Sequence, residues 1–303
     1  MGSVGEDRRN LGGMKPRHKG QTSRPVIKTR RMWLTPKESY RLDLDRRKVW
    51  IKGVGELDVV GWPRNVEEYR GWELREARLV VRDNGCYLHV VFRKIVPDPK
   101  PSPRAIAVDI NEHWIVYGYP GNIARDPTRI EDCVKIKKHI EKLQRKYSFG
   151  KYRAWLRPGV LKRIRALGRR IRNVLEDFAR KEAKKIIDFA LQHGRDTIVV
   201  EDLTNLVENA RKLKKPWRER LVLSSYRRLL QWIEWRAARH GLAVVKIDPR
   251  GTSSTCPVCG SKLFFEPGRR VRCGRCGFEA DRDEVAVMNL LKRYLSTHGW
   301  GDL

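Results

Sequence analysis

The chain has no apolar run near the ~18 residues of a membrane-spanning helix, and no signal-peptide-like apolar segment at its N-terminus. These two absences predict a cytoplasmic chain with no membrane partner. Cysteine is scarce, six in 303 residues, which excludes a disulfide framework and fits a reducing compartment. Negative charge is scarce too: 36 Asp and Glu stand against 66 Lys and Arg, for a formal net charge of +30. A chain so basic repels itself unless a polyanion neutralises it, and nucleic acid is the polyanion that fits. Little Gln beside much Arg points to a thermophilic prokaryote, with an archaeon as the candidate source.

Four of the six cysteines fall in two pairs, Cys256/Cys259 and Cys273/Cys276, within CPVCG and CGRCG. Four thiolates at this spacing match a tetrahedral Zn²⁺ site in a zinc ribbon over 252–280. Gly260 and Gly277 follow the second cysteine of each pair, where a tight turn aims amide N–H groups at sulfur. Cys86 and Cys133 lie outside any motif. Directly after the ribbon comes Asp281-Arg282-Asp283, opening an apolar-periodic helix. Val287, Leu290, Leu291 and Tyr294 follow Asp283 at helical spacing, so this carboxylate belongs to the buried face. Asp281 is equally well placed as an N-cap.

Upstream, residues 1–24 are basic and aperiodic and read as a disordered arm that touches phosphate. From 25 to 100 short alternating runs predict a small antiparallel β-barrel, with Asp83-Asn84-Gly85 turning a hairpin. PDPKPSP (97–103) is a stiff linker and the domain boundary. RAIAVDINEHWIVYGYP (104–120) reads as two strands around a tight turn. Residues 131–193 read as basic helix with breaks at Ser148, Phe149, Gly150 and near Pro158. TIVVEDL is a buried strand ending in Glu201; a basic connection (204–222), a helix (224–241) stopped by Gly241 and a strand (243–249) lead to the ribbon.

Asp109 on a strand, Glu201 at a strand end and Asp283 on a helix are what a two-metal nuclease requires. Its divalent ions are bridged by carboxylates from different elements, and hard Mg²⁺ takes oxygen ligands while keeping several waters. Lys162, Arg163, Arg165, Arg169, Arg170 and Arg172 line the basic helical stretch as candidate phosphate contacts. Trp155, Trp217, Trp232 and Trp235 are candidates for base stacking, with core packing the more frequent role of tryptophan.

AIAVDI, TIVVEDL, KIDPRGTSSTCPVCG and VRCGRCGFEADRDEVAVMNL resemble, in order and spacing, the TnpB/OrfB proteins of insertion sequences, relatives of type V CRISPR effector nucleases. The resemblance covers about residues 40–293. It implies an α/β fold: a wedge-like β-barrel (25–100), then an RNase H-like RuvC nuclease domain (101–251 and 281–303) with an inserted Cys₄ zinc ribbon. It implies Asp109, Glu201 and Asp283 as catalytic acids on two Mg²⁺ ions, a structural Zn²⁺, and cutting of double-stranded DNA beside a short flanking motif. The partners it implies are a guide RNA from the transposon end and the target DNA, with a second copy of the chain as a candidate subunit. The chain departs from the family pattern at Asn111, where glycine is usual, at Val285, where Asn is usual, and near the N-terminus, where no helical recognition lobe fits between VIKTRRMWLTPKES and YRLDLDRRKVWI. The alternative is a nuclease-inactive or degenerate RNA-guided DNA-binding protein; retention of all three acids favours the enzyme.

Overall fold

The computed structural model describes residues 30–63, 66–82, 84–147, 158–202 and 216–300. The arm at 1–24, the break at 148–150 and the connection 204–215 lie outside the described residues. The chain divides into two compact units, Met1–Ile95 and Val96–Leu303.

In the first unit the alternating runs become β1 (Arg30–Leu34), β2 (Tyr40–Asp43), β3 (Lys48–Ile51), β4 (Gly55–Asp58), β5 (Glu73–Arg82) and β6 (Gly85–Arg93). β5 and β6 form the expected hairpin, with Arg82 opposite Gly85, whose φ of 137° is open to glycine. The strands pair as two antiparallel three-stranded sheets, β1-β5-β6 and β2-β3-β4. Where the sequence predicts one barrel, no ladder joins the two sheets among the described residues. β2, β3 and β4 have four residues each, too few to carry a ladder onward from one sheet to the other. Apolar burial joins them instead: Leu34 and Ala77 from one sheet share a cluster with Tyr40, Val49 and Ile51 from the other.

The second unit is built on β7 (Ala105–Ile110), β8 (Trp114–Tyr119), β9 (Asn122–Pro127), β10 (Thr197–Glu201) and β11 (Ala243–Ile247), in the order β11-β10-β7-β8-β9. β7, β8 and β9 form an antiparallel meander, and β10 runs parallel to both β7 and β11. AIAVD and TIVV are continuously buried, as strands covered on both faces must be. β9 has no such signal: NIARDP mixes charge with a terminal proline, which only an edge strand tolerates.

Among the described residues four helices complete the unit: α1 (Ile130–Tyr147), α2 (Pro158–Gln192), α3 (Pro216–His240) and α4 (Arg282–Thr297). α3, expected from the sequence to start at 224, begins at Pro216, because proline is tolerated in a first turn and no breaker follows it. Gly241, at φ 71°, ends it as expected. α2 and α3 cover one face of the sheet through Phe178, Ile186, Leu229 and Ile233, packed on Ile106, Val108, Ile198 and Val200. α4 covers the other face through Val287, Leu290, Leu291 and Tyr294, packed on Ala105, Ala107, Val116 and Val199. The proline-rich stretch is strapped to this sheet at its end: Ser102 N–H donates to Thr197 Oγ1 (2.9 Å), and the Tyr294 hydroxyl donates to the Ser102 carbonyl (2.8 Å). Between β11 and α4 lies the antiparallel sheet β12 (Leu263–Phe265), β13 (Arg270–Cys273) and β14 (Glu279–Asp281).

Candidate active site and metal centre

Strand alternation decides which face each acid occupies. Ala105 and Ala107 point to the α4 face, and Asp109 follows them. Val199 points the same way, and Glu201 follows it. Val108 and Val200 are register partners on adjacent parallel strands, so Asp109 and Glu201 stand side by side at the strand ends. Asp283 lies in the first turn of α4, which packs on that face, and is 3% exposed. Asp281 caps the helix, accepting from Asp283 N–H at 2.8 Å. Asp283, not the cap, is the acid whose charge reaches Asp109.

Burial, and then the charge of Asp283, pushes the Asp109 carboxyl up to about 6. Burial, and then the charge of Asp109, pushes Glu201 up to about 8. Asn111 donates to Asp109 Oδ2 (3.3 Å) while its own Oδ1 accepts from His113 and Trp114 N–H, so the turn after β7 orients the acid. The Glu201 carbonyl accepts from the Tyr226 hydroxyl, which seats the end of β10 against α3.

Asp283 is bound differently. Arg269, from the turn before β13, donates Nε to Oδ2 at 3.1 Å and Nη2 to Oδ1, and Arg125 of β9 donates to Oδ2 at 3.2 Å. Arg125 also pairs with Asp281 at 2.6 Å. The ligand oxygens of Asp109, Glu201 and Asp283 are accordingly not gathered within 4.8 Å of one another; among the described residues only the four cysteines are. Two arginines pair directly with Asp283, while Asp109 and Glu201 have no ion-pair partner among the described residues and are raised by desolvation and by each neighbouring acid. Arg125, Arg269 and Tyr226 lie in no spacing pattern and leave no signal in the sequence, while Asn111 stands out there only as a departure from the family glycine.

Cys256, Cys259, Cys273 and Cys276 place their sulfurs within 4.8 Å of one another, with Cys256–Cys276 at 3.6 Å and Cys259–Cys273 at 3.4 Å. Four sulfurs ~2.3 Å from one tetrahedral ion lie about 3.8 Å apart, so the set is placed to hold a metal ion. The two knuckles are built alike: Gly260 N–H donates to the Cys256 carbonyl and Gly277 N–H to the Cys273 carbonyl, both at 3.0 Å, with φ of 73° and 75°. Hydrogen bonds from Ser261 hold the Cys259 thiol down to about 6, toward the thiolate that ligates metal. Val285 of α4 packs with Cys256, Leu263, Val271 and Cys273, and Asn289 donates to the Thr252 and Thr255 carbonyls (2.6 and 2.7 Å). The cysteine module is thereby fastened to the helix that carries Asp283.

Lys162, Arg163, Arg165, Arg169, Arg170 and Arg172 are all exposed on the first half of α2, where no side chain is fully buried. Trp232 is partly buried in the core and donates Nε1 to Glu176 at 2.9 Å, which assigns it to helix packing, whereas Trp235, edge-on against it, is exposed. Trp155 and the Trp217 side chain lie outside the described residues.

Residues 226–290 match the Cas12f1-like TNB domain family. Over 233 residues the chain is 32% identical to a TnpB-like protein of Methanocaldococcus jannaschii, covering 75% of this chain and 81% of that protein. A CRISPR-associated endodeoxyribonuclease Cas12f1 of Sulfoacidibacillus thermotolerans is 32% identical over 152 residues, covering 48% of this chain and 34% of that protein. A cryo-EM structure of a Cas12f1–sgRNA–target DNA complex superposes with a TM-score of 0.44 at 17% identity, covering 90% of this chain and 69% of that chain. No helix among the described residues is long and apolar enough to cross a membrane.

Proposed function

The chain belongs to the TnpB family, related to type V CRISPR effector nucleases, and on that footing we propose that it is an RNA-guided, Mg²⁺-dependent DNA endonuclease. The observation that carries this reading is the pair Asp109 and Glu201: a buried carboxylate and a half-buried one side by side, each raised by desolvation and by a neighbouring acid's charge. Such a pair is costly in an empty site and is satisfied by a cation. A three-stranded meander extended by two parallel strands supports an RNase H-like domain, and the cysteine set supports a structural Zn²⁺.

Asp109, Glu201 and Asp283 are the residues that would hold two Mg²⁺ ions, with Asn111 orienting Asp109. Bound there, such ions supply an activated water and stabilisation of the leaving oxygen. Arg269 and Arg125 neutralise Asp283 in the resting chain and leave it when another cation takes their place. The exposed cations Lys162, Arg163, Arg165, Arg169, Arg170 and Arg172 contact nucleic-acid phosphate. The partners are a guide RNA from the transposon end and double-stranded target DNA beside a short flanking motif, in the cytoplasm, with a second copy of the chain as a candidate subunit. Base pairing reads the sequence while the protein reads shape and the short motif.

One observation favours a second reading, RNA-guided binding without cutting: Asp283 is already paired with two arginines. Plasmid cleavage by protein purified with co-expressed native RNA separates the two, with and without Mg²⁺, beside Asp109→Ala and Glu201→Ala. Cutting that needs Mg²⁺, RNA and both acids supports the nuclease. RNA-dependent binding that the variants leave unchanged, without cutting, supports the second reading.

A further inference from the structure

A cleft of about 750 Å³ opens on the α2 face of the five-stranded sheet, away from the carboxylates described above. Arg169, Arg170, Asn173 and Lys185 line it from α2, and Asp126 and Arg129 from the end of β9 and the segment beyond. Alternation fixes the face. Arg125 and its partner Val116 point toward α4, whereas Asp126 and its partner Ile115 point toward α2. A strand held in this cleft therefore lies on the opposite side of the sheet from Asp109, Glu201 and Asp283.

The cleft has two chemically different ends. At one, Arg169 and Arg170 are exposed and form no ion pair among the described residues. At the other, Asp126 accepts from Lys185 Nζ (2.5 Å) and the Tyr117 hydroxyl (3.0 Å), and Glu182 stands behind it, also paired with Lys185 (3.3 Å). Glu182 is 2% exposed, and its Oε1 has no hydrogen-bond donor among the described residues. The other cations of the cleft are already paired: Arg129 with Asp132 and Lys181 with Asp177. Burial and the Asp126 charge push Glu182 up to about 7, so near neutrality Lys185 balances much of this end's charge.

We propose that this cleft binds a short single-stranded stretch of RNA, with a phosphate on Arg169 and Arg170 and a ribose 2′-hydroxyl donating to Asp126, which the buried Glu182 backs. Free guanidinium groups take phosphate. A carboxylate accepts from a ribose hydroxyl, as acidic residues do in dinucleotide sites, and the 2′-hydroxyl is what separates RNA from DNA. From Arg170 to Glu182 the helix rises about 18 Å, room for a few nucleotides. A DNA strand offers phosphate to one end and no sugar hydroxyl at the 2′ position to the other. That the RNA held here is the guide rests on the function proposed above; the recognition chemistry does not.

The test is fluorescence anisotropy with labelled ten-nucleotide RNA, DNA of matching sequence and 2′-fluoro RNA, on zinc-loaded full chain without Mg²⁺. RNA should bind at least about 5-fold tighter than DNA, and 2′-fluoro RNA, which lacks the donor, should fall to the DNA level. Arg169→Ala with Arg170→Ala should weaken RNA and DNA alike and flatten the salt slope by about 1.4. Asp126→Ala and Glu182→Met should abolish the RNA preference without weakening DNA binding. Equal binding of RNA and DNA by the unaltered chain, or 2′-fluoro RNA matching RNA, overturns the proposal and needs no variant to fold. A preference surviving in folded Asp126→Ala also overturns it. No cutting is read, so failure of the proposed nuclease and failure of this site are distinguishable.

Discussion

Arg269 grips Asp283 with two nitrogens across a 14-residue separation, from a backbone position in the left-handed region at φ 69°. A non-glycine residue held there is strained, and the strained turn places a half-exposed guanidinium on a buried carboxylate. Arg269→Ala leaves Asp283 with Arg125 alone and should destabilise the metal-free chain by about 1–3 kcal/mol. Urea denaturation with and without Mg²⁺ checks this: the deficit should shrink with Mg²⁺ if a cation replaces the arginine. A deficit indifferent to Mg²⁺ would separate Arg269 from the metal site.

Asp109 and Glu201 hold their protons more tightly folded than unfolded. The folded chain therefore binds more protons between about pH 4 and pH 8, and stability present below that window is lost as pH rises through it. Metal-free thermal midpoints should fall from pH 5 to pH 8. Added Mg²⁺ should raise them more at pH 8 than at pH 5. Asp109→Asn with Glu201→Gln should flatten the alkaline fall, and a slope unchanged in that variant would assign it to other groups.

The purified chain should carry one zinc per molecule by elemental analysis, and Cys273→Ser should lose it. Hydrogen exchange should then quicken across β12–β14 and the first turn of α4, because Val285 and Asn289 join them. The amides of β7 and β10 should stay protected; their loss as well would mean the module is not separable from the sheet.

Gly118 sits at φ 146°, and a Cβ there would lie 2.2 Å from the Asn122 carbonyl oxygen and 2.9 Å from Ile123 Cα. Those are backbone atoms of the neighbouring strand, with no side chain to swing aside. Gly118→Ala should cost more than about 2 kcal/mol, read as a lowered urea midpoint. It should also displace β9, which carries Arg125 and Asp126, so RNA preference and the Asp283 pair should suffer together.

By itself the sequence determined what is local. Two CxxCG knuckles set the sulfur spacing, unbroken apolar runs made β7 and β10, and the phase of α4 turned Asp283 inward. Each follows from neighbours within one turn or strand, where period and spacing are legible. Tertiary structure alone decided the rest. The edge strand β9 has too mixed a pattern to announce itself, yet it delivers Arg125 to one face of the sheet and Asp126 to the other. Arg125 reaches Asp283 across 158 residues, and among the described residues the strands of the first unit pair as two separate sheets. Such pairings depend on strand order and register, which are set by the summed burial of distant segments and leave no trace in any short window of sequence.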